Sequence, residues 1–432
     1  MFRDRDSDVL TGRAAASPLV PELRYSALTY RQRLRALDDL AADLLERRTM
    51  PGVPGLPFLA GFLQASNLTR LIAREIPAPE ALEGFVSIDQ RKSVRLLPRG
   101  MVCHWMAGNV PLLGMFSWAV SVLAGNRNVI RVSSRHDDMV SPLLERLAGV
   151  SDQGRELARE TAVMHFDRDD MATQTAMSAM ADVRIAWGGM EAIEAIRALP
   201  CDWECDTIVL GPRVSIAVLD ASAAHDRAIS RLVTDIVYFD QLACSSPQWL
   251  FLKGRPGQPA FDRVVERLAA EFDVQSRTFP RHPLGFDETY RIPLDRARVL
   301  LDGGTLRTDI QTAWTIALVD APHTRVSCSN RFLQLIPFED VEQVTAQIPR
   351  NVQTAVTLLC DREMEQFSED AARRGVCRFP RPGEGNHFES PWDGVPLVSR
   401  LTRWVTRTDG HGPLSTTGAR FEWNTPPHSS NN

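Results

Sequence analysis

Lysine is almost missing from this chain. Of its 49 basic residues only Lys92 and Lys253 are lysines, which leaves 47 arginines. The skew reads as a coding bias of the genome, so an arginine where a lysine is usual says little by itself. An excess of positive charge is missing as well: the formal net charge is -5, which argues against a general nucleic-acid binder. No apolar run reaches the ~20 residues that a membrane span requires. The longest, Val110 to Ala124, is interrupted by Ser117 and reads as a buried helix. The N-terminus, Met1-Phe2-Arg3-Asp4-Arg5-Asp6, has no apolar core and so does not read as a signal peptide. The 7 cysteines are odd in number and widely scattered. Cys201 and Cys205 find no second Cys/His pair to complete a zinc site. A reduced, cytoplasmic chain without a metal is the expectation. Neither GxGxxG nor a P-loop is present.

What is present is ordinary for a globular protein: 432 residues, 44% hydrophobic and 24% charged, enough for two or three domains. Tyr30 to Arg48 has a helical period, and the Pro/Gly cluster at 51–55 ends it. From about 95 to 220 apolar runs alternate with helical patterns. Strands are expected at Met101–Trp105, Asn128–Val132, Thr161–Phe166, Val183–Trp187, Thr207–Leu210 and Ser215–Leu219, with a helix after each of the first four. Such alternation implies a parallel sheet covered on both faces, whose ligands sit beyond the strands' carboxyl ends. The loops after strands therefore matter most. One runs from His104 to Pro111 through Gly108 and Asn109. Another, Arg131-Val132-Ser133-Ser134-Arg135, offers cations and two hydroxyls. A third, Trp187-Gly188-Gly189, is a glycine pair at a strand-to-helix turn, where a phosphate or ribose can approach the helix N-terminus. Taken alone, the glycine pair reads rather as a plain turn, and Arg131 and Arg135 as a solvated surface.

A second α/β unit is expected from about 221 to 380. The helical pattern 224–237 ends in Asp240-Gln241-Leu242-Ala243-Cys244-Ser245-Ser246-Pro247, and Trp249–Leu252 then reads as a strand. A cysteine on a tight helix-to-strand connection is placed as nucleophiles are placed, yet free cysteine is also among the most buried residue types. Further strands are expected at 353–358 and at Val376–Phe379. Pro391-Trp392-Asp393-Gly394 has the composition of a tight turn. His225 and His282 read as surface or core fillers, and 409–432 as a loose tail.

Taken together, the 104–111, 128–135, 186–189, 240–247 and 392–394 motifs resemble the acyl-CoA reductase of bacterial bioluminescence (the LuxC type), a branch of the aldehyde dehydrogenase superfamily. The resemblance covers roughly 95–405. It implies an α/β, aldehyde-dehydrogenase-like fold with a Rossmann-type nucleotide-binding domain and an α/β catalytic domain. The implied division is a helical accessory segment at 1–94, the NAD(P)-binding domain at 95–220, the catalytic domain at 221–384, and at 385–432 a return segment, oligomerisation arm and tail. The implied reaction is NADPH-dependent reduction of an acyl thioester, carried by CoA or by a carrier protein, to the aldehyde through an acyl-Cys244 intermediate. A catalytically silent partner subunit is the alternative. Asn109 would help Cys244 stabilise the oxyanion. Arg131, Ser133, Ser134, Trp187, Gly188 and Gly189 would hold the cofactor. Arg131 stands where the superfamily usually has lysine. Val209 stands where aldehyde-oxidising members carry the glutamate that activates water, which points away from hydrolysis. A homodimer or dimer of dimers is the family expectation.

Overall fold

Leu37, Leu40 and Leu44 recur on one helical face, and α1 (Tyr30–Arg47) buries all three. The computed structural model in which this is seen describes residues 23, 26–47, 55–89, 91–106, 112–132, 138–326 and 329–408. Asn109 and most of its loop, Ser133, Ser134, Arg135 and the expected tail at 409–432 lie outside the described residues. After α1 come α2 (Leu56–Leu63) and α3 (Ala65–Glu75), then a short strand pair, β1 (Val86–Ser87) and β2 (Lys92–Pro98). The three helices pack into one apolar cluster with α4 (Leu113–Leu123), every residue of which except Leu113 is buried. Arg33 of α1 forms a buried ion pair with Glu160 and donates to the Val122 carbonyl at 3.1 Å. Breaking such a pair strands a buried charge, at a cost of roughly 3–5 kcal/mol.

Five strands follow in a parallel sheet: β3 (Met101–Trp105), β4 (Arg127–Val132), β5 (Thr161–His165), β6 (Val183–Trp187) and β7 (Asp206–Leu210). Their order is β5-β4-β3-β6-β7. The chain thus runs outward from β3 on one side, returns, and runs outward on the other. The crevice at the carboxyl ends of β3 and β6 is where a doubly wound sheet takes a ligand. Val102, Ile130 and Ile185 face one apolar cluster while Cys103, Val129 and Ala186 face the other, as a sheet covered on both sides demands.

A second sheet, of six strands, begins with β8 (Val214–Asp220) and continues through β9 (Pro247–Lys253), β10 (Thr305–Thr308), β11 (Thr315–Leu318), β12 (Phe332–Phe338) and β13 (Val352–Leu358), in the order β10-β11-β12-β9-β8-β13. The change of sheet falls at 211–213, so β8 belongs with the cysteine rather than with the first sheet. Ile216 and Val218 face one core, Ala217 and Leu219 the other. The segment expected as a strand at Val376–Phe379 makes a single bridge, Thr354 to Arg378. The Cys377 and Arg378 N–H groups both donate to the Gln353 carbonyl, at 2.8 and 3.1 Å, which folds the backbone out of ladder geometry. Finally the chain returns to its beginning: β14 (Thr402–Thr408) pairs antiparallel with β2 in a three-stranded sheet.

Candidate active site

The helix before the cysteine, Asp226–Val237, buries Ile229, Leu232, Val233, Ile236 and Val237 against the six-stranded sheet. It stops in an unusual way. Asp240 and Gln241 are consecutive non-glycine residues with positive φ, 50° and 62°. Each such residue costs about 1–3 kcal/mol and persists where its surroundings over-determine it. Here they do. Buried Arg331 pairs with the Asp240 carboxylate, its Nε donating at 2.7 Å, and its Nη2 also donates to the Phe279 carbonyl at 2.7 Å. His282 donates its backbone N–H to the other Asp240 oxygen at 3.1 Å, and Gln241 Nε2 donates to the Pro247 carbonyl at 2.8 Å. The turn that carries Cys244 is therefore rigid.

Ser215, at the start of β8, donates its hydroxyl to the Cys244 carbonyl at 2.6 Å. On the other side the return segment reaches in. Asn386 Oδ1 accepts from Ser245 at 2.7 Å, and its Nδ2 donates to the Asp235 carbonyl, one of the orphan carbonyls at the helix end, at 2.8 Å. Asp235 itself is buried, takes the Gly383 N–H at 2.7 Å, and is pushed up by that burial to about 7. Burial, and then the negative charge of Asp393, push the Cys244 thiol up to about 12, while Gln353 and Arg378 oppose the shift. Cys244 as a whole residue is partly exposed, and its thiol carries its proton at neutral pH. The Gln353 amide lies beside the thiol, although neither of its polar atoms makes a hydrogen bond of normal geometry. Arg378 is fixed over the Trp392 ring, 4.3 Å from its centroid, and pairs with Glu389 at 3.2 Å. Beside this cluster opens a cleft of about 1060 Å³ with Phe58, Phe62, Phe116 and Phe388 in its wall and Cys377 and Gly394 also lining it.

The glycine pair and the cysteine are joined by a short piece of backbone. Gly211 has φ 118°, and a Cβ built on it would lie 2.6 Å from the Gly188 carbonyl oxygen. Four residues later Ser215 holds Cys244, a span of at most about 14 Å even if fully extended. Gly189, with nothing within 4 Å of a built Cβ, precedes the helix Met190–Ala198, whose N-terminus has no side-chain cap. Its unpaired N–H groups and the open space fit the ribose or phosphate of a dinucleotide. Trp187 is placed differently from its neighbours: the ring is buried and its Nε1 donates to Ser117 at 3.2 Å, so only its backbone borders the turn. Ser117 also lies 3.5 Å from His104, which faces Asn128 at 3.0 Å and is driven down to about 4 by burial. Arg131 is half-buried over Phe166, donating to that residue's carbonyl at 3.2 Å. His225 and His282 are tied up locally: His225 caps the cysteine helix through Nδ1, 3.2 Å from the Ala228 N–H, and His282 pairs with Asp240 at 2.8 Å. Sequence reasoning missed Ser215, Gln353, Asn386 and the partners of Asp240. Their bonds to the turn run across 29 to 141 positions, and nothing local marks them.

Two α/β sheets, a glycine turn at the switch point of one and a cysteine turn at the head of an interior strand of the other make the aldehyde dehydrogenase fold. Aldehyde dehydrogenase 21 from Physcomitrella patens superposes with a TM-score of 0.62 at 15% identity, covering 89% of this chain and 87% of its own. The family follows from the sequence match: residues 24–404 fit the model of the acyl-CoA reductase (LuxC) family, and the chain belongs to it. The long-chain acyl-protein thioester reductase of Aliivibrio fischeri is 26% identical over 317 residues, 72% of this chain. Long-chain acyl-protein thioester reductase 2 of Photobacterium leiognathi is 24% identical over 387 residues, 89% of this chain and 79% of its own length. The matched region spans 65% of the Aliivibrio protein's length. Among the described residues no helix is long and apolar enough to cross a membrane, and no cluster of His, Cys, Asp and Glu could hold a metal ion.

Proposed function

We propose that the chain is a nicotinamide-dependent reductase of long-chain acyl thioesters, with Cys244 as the residue that receives the acyl group. The observation that carries the reading is the backbone link from the Gly188 turn through Gly211 to Ser215 and the Cys244 carbonyl. A thiol suits the role because exchange of one thioester for another is nearly balanced and keeps the acyl group activated. The rigid Asp240–Gln241 turn aims the sulfur, and Asn109 together with the Cys244 N–H would receive the oxyanion. Loss of one such donor costs on the order of 3 kcal/mol in the transition state. Gly188, Gly189 and Arg131, with Ser133 and Ser134 by family resemblance, would hold NADPH; when bound it supplies the hydride that turns the acyl group into the aldehyde. The phenylalanine-walled cleft suits a long acyl chain. Val209 packs against the apolar cluster under the first sheet, so no water-activating acid stands at that position. The relatives' names speak for an acyl group carried on a protein, with acyl-CoA as the second donor.

The test is the mass of the intact chain after incubation with a long-chain acyl thioester in the absence of NADPH. One acyl group should appear on Cys244 and vanish in Cys244→Ala, together with aldehyde formation once NADPH is added. Aldehyde produced by Cys244→Ala would overturn the reading.

A further inference from the structure

Helix α2, Leu-Pro-Phe-Leu-Ala-Gly-Phe-Leu, carries no polar or charged side chain. A helix that is apolar all round belongs where both of its faces are covered. One face is covered: Leu56, Leu59, Ala60 and Leu63 are buried in the cluster shared with α1, α3 and α4. The other face, Pro57, Phe58, Gly61 and Phe62, lines the cleft of about 1060 Å³. Phe58 and Gly61 are only half-buried there. An apolar occupant suits this face, and water does not.

Two contacts tie the cleft to the cysteine turn. Phe58 packs with Phe239, Leu242 and Ala243 in one small cluster, its ring 5.9 Å from that of Phe239. On the other side His387, in the cleft wall, follows Asn386, which accepts from Ser245 at 2.7 Å. The residues before and after Cys244 are thus held by the walls of the cleft. Much of the wall is fixed. Phe62, Phe116 and Phe388 come from α2, α4 and the return segment, and their ring centroids lie 4.9 to 5.3 Å apart, as packed aromatic pairs do. Gly61 is the gap in that wall: a Cβ built on it meets nothing within 4 Å. Asn67 donates to the Gly61 carbonyl at 2.6 Å, so the backbone there is pinned. Alanine would fit the space and favour the helix more than glycine does, so the missing side chain asks for a use.

We propose that Gly61 sets the length of acyl chain that the protein accepts. The hydrocarbon tail lies along the Pro57, Phe58, Gly61 and Phe62 face of α2. Phe58 guides the carbons nearest the cysteine turn, and the bare backbone one helical turn further on leaves room for those beyond. This rests on the thioester reading above and names the residue that would select among long-chain donors. The helical segment that precedes the nucleotide-binding domain is then part of the substrate site and not only a packing accessory.

The experiment is a size series, Gly61→Ala, Gly61→Leu and Gly61→Phe, all of which suit a helix better than glycine, with Tm as the check on folding. The rate of Cys244 acylation without NADPH, read from the mass of the intact chain, is measured with octanoyl-CoA and hexadecanoyl-CoA. The hexadecanoyl-to-octanoyl ratio should fall as the side chain grows. In Gly61→Phe it should fall at least about tenfold, the smaller value of one displaced methylene in an apolar pocket. An unchanged ratio overturns the proposal, and so does an equal loss for both donors, which marks a disturbed fold. Binding of hexadecanoate and octanoate by calorimetry separates the two readings. If neither donor labels wild-type Cys244 while Gly61→Phe weakens hexadecanoate binding tenfold relative to octanoate, the thioester reading fails and the role of Gly61 stands. Hexadecanoate binding equal to wild type in that case overturns the role of Gly61 as well.

Discussion

Asn386 is the residue through which the returning chain grips the cysteine turn, and Asn386→Ala measures that grip. Its side chain satisfies two buried groups at close range, the Ser245 hydroxyl at 2.7 Å and the Asp235 carbonyl at 2.8 Å, and a third, the Ser246 hydroxyl, only at 3.4 Å. Truncation leaves the first two without partners, and each buried orphan costs about 1–3 kcal/mol, so the loss should be about 2–6 kcal/mol. That is a large share of the 5–15 kcal/mol that a folded domain typically has. A double-mutant cycle separates the two bonds. Adding Ser245→Ala removes the orphaned hydroxyl, so Ser245→Ala/Asn386→Ala should cost less than the sum of the single changes by about 0.5–3 kcal/mol. The assay is urea unfolding followed by tryptophan fluorescence, with acyl labelling of Cys244 beside it. A loss under about 0.5 kcal/mol for Asn386→Ala, or strict additivity in the cycle, would refute the idea that this segment holds the site.

Two further outcomes follow from the same geometry. Burial lifts Asp235 from 3.8 to about 7, so the native state holds a proton that the unfolded chain releases. Its stabilising contribution is complete below about pH 4 and is lost as pH rises to about 7, on the order of 4 kcal/mol in all; Asp235→Asn should flatten the fall in unfolding free energy between pH 4 and 7, and an unchanged slope would refute the assignment. Gly211→Ala places a Cβ 2.6 Å from the Gly188 oxygen at a φ of 118°, which should cost about 1–3 kcal/mol of stability and weaken dinucleotide binding measured by calorimetry; affinity equal to wild type would detach the Gly188 turn from the cofactor.

Much of this architecture was legible in the residues. Strand–helix alternation from Met101 to Leu210 appears as expected because apolar periods of two and 3.6 are local properties. Cys244 lies on the expected helix-to-strand connection, between the helix that ends at Val237 and the strand that Pro247 opens. Trp392-Asp393-Gly394 forms the tight turn its composition suggests. The helix Phe286–Leu301 was not anticipated, and it has Pro293 in its interior, a residue that ordinarily argues against a helix. The sequence by itself determined the elements from Met101 to Leu210, the cysteine and the glycine pair. The tertiary structure alone decided that β8 joins the cysteine's sheet, that the Trp187 ring serves the core, and that Asn386 reaches the cysteine turn. The reason is physical: burial and pairing between residues some 140 to 150 positions apart depend on how two sheets dock, and no window of sequence contains both partners.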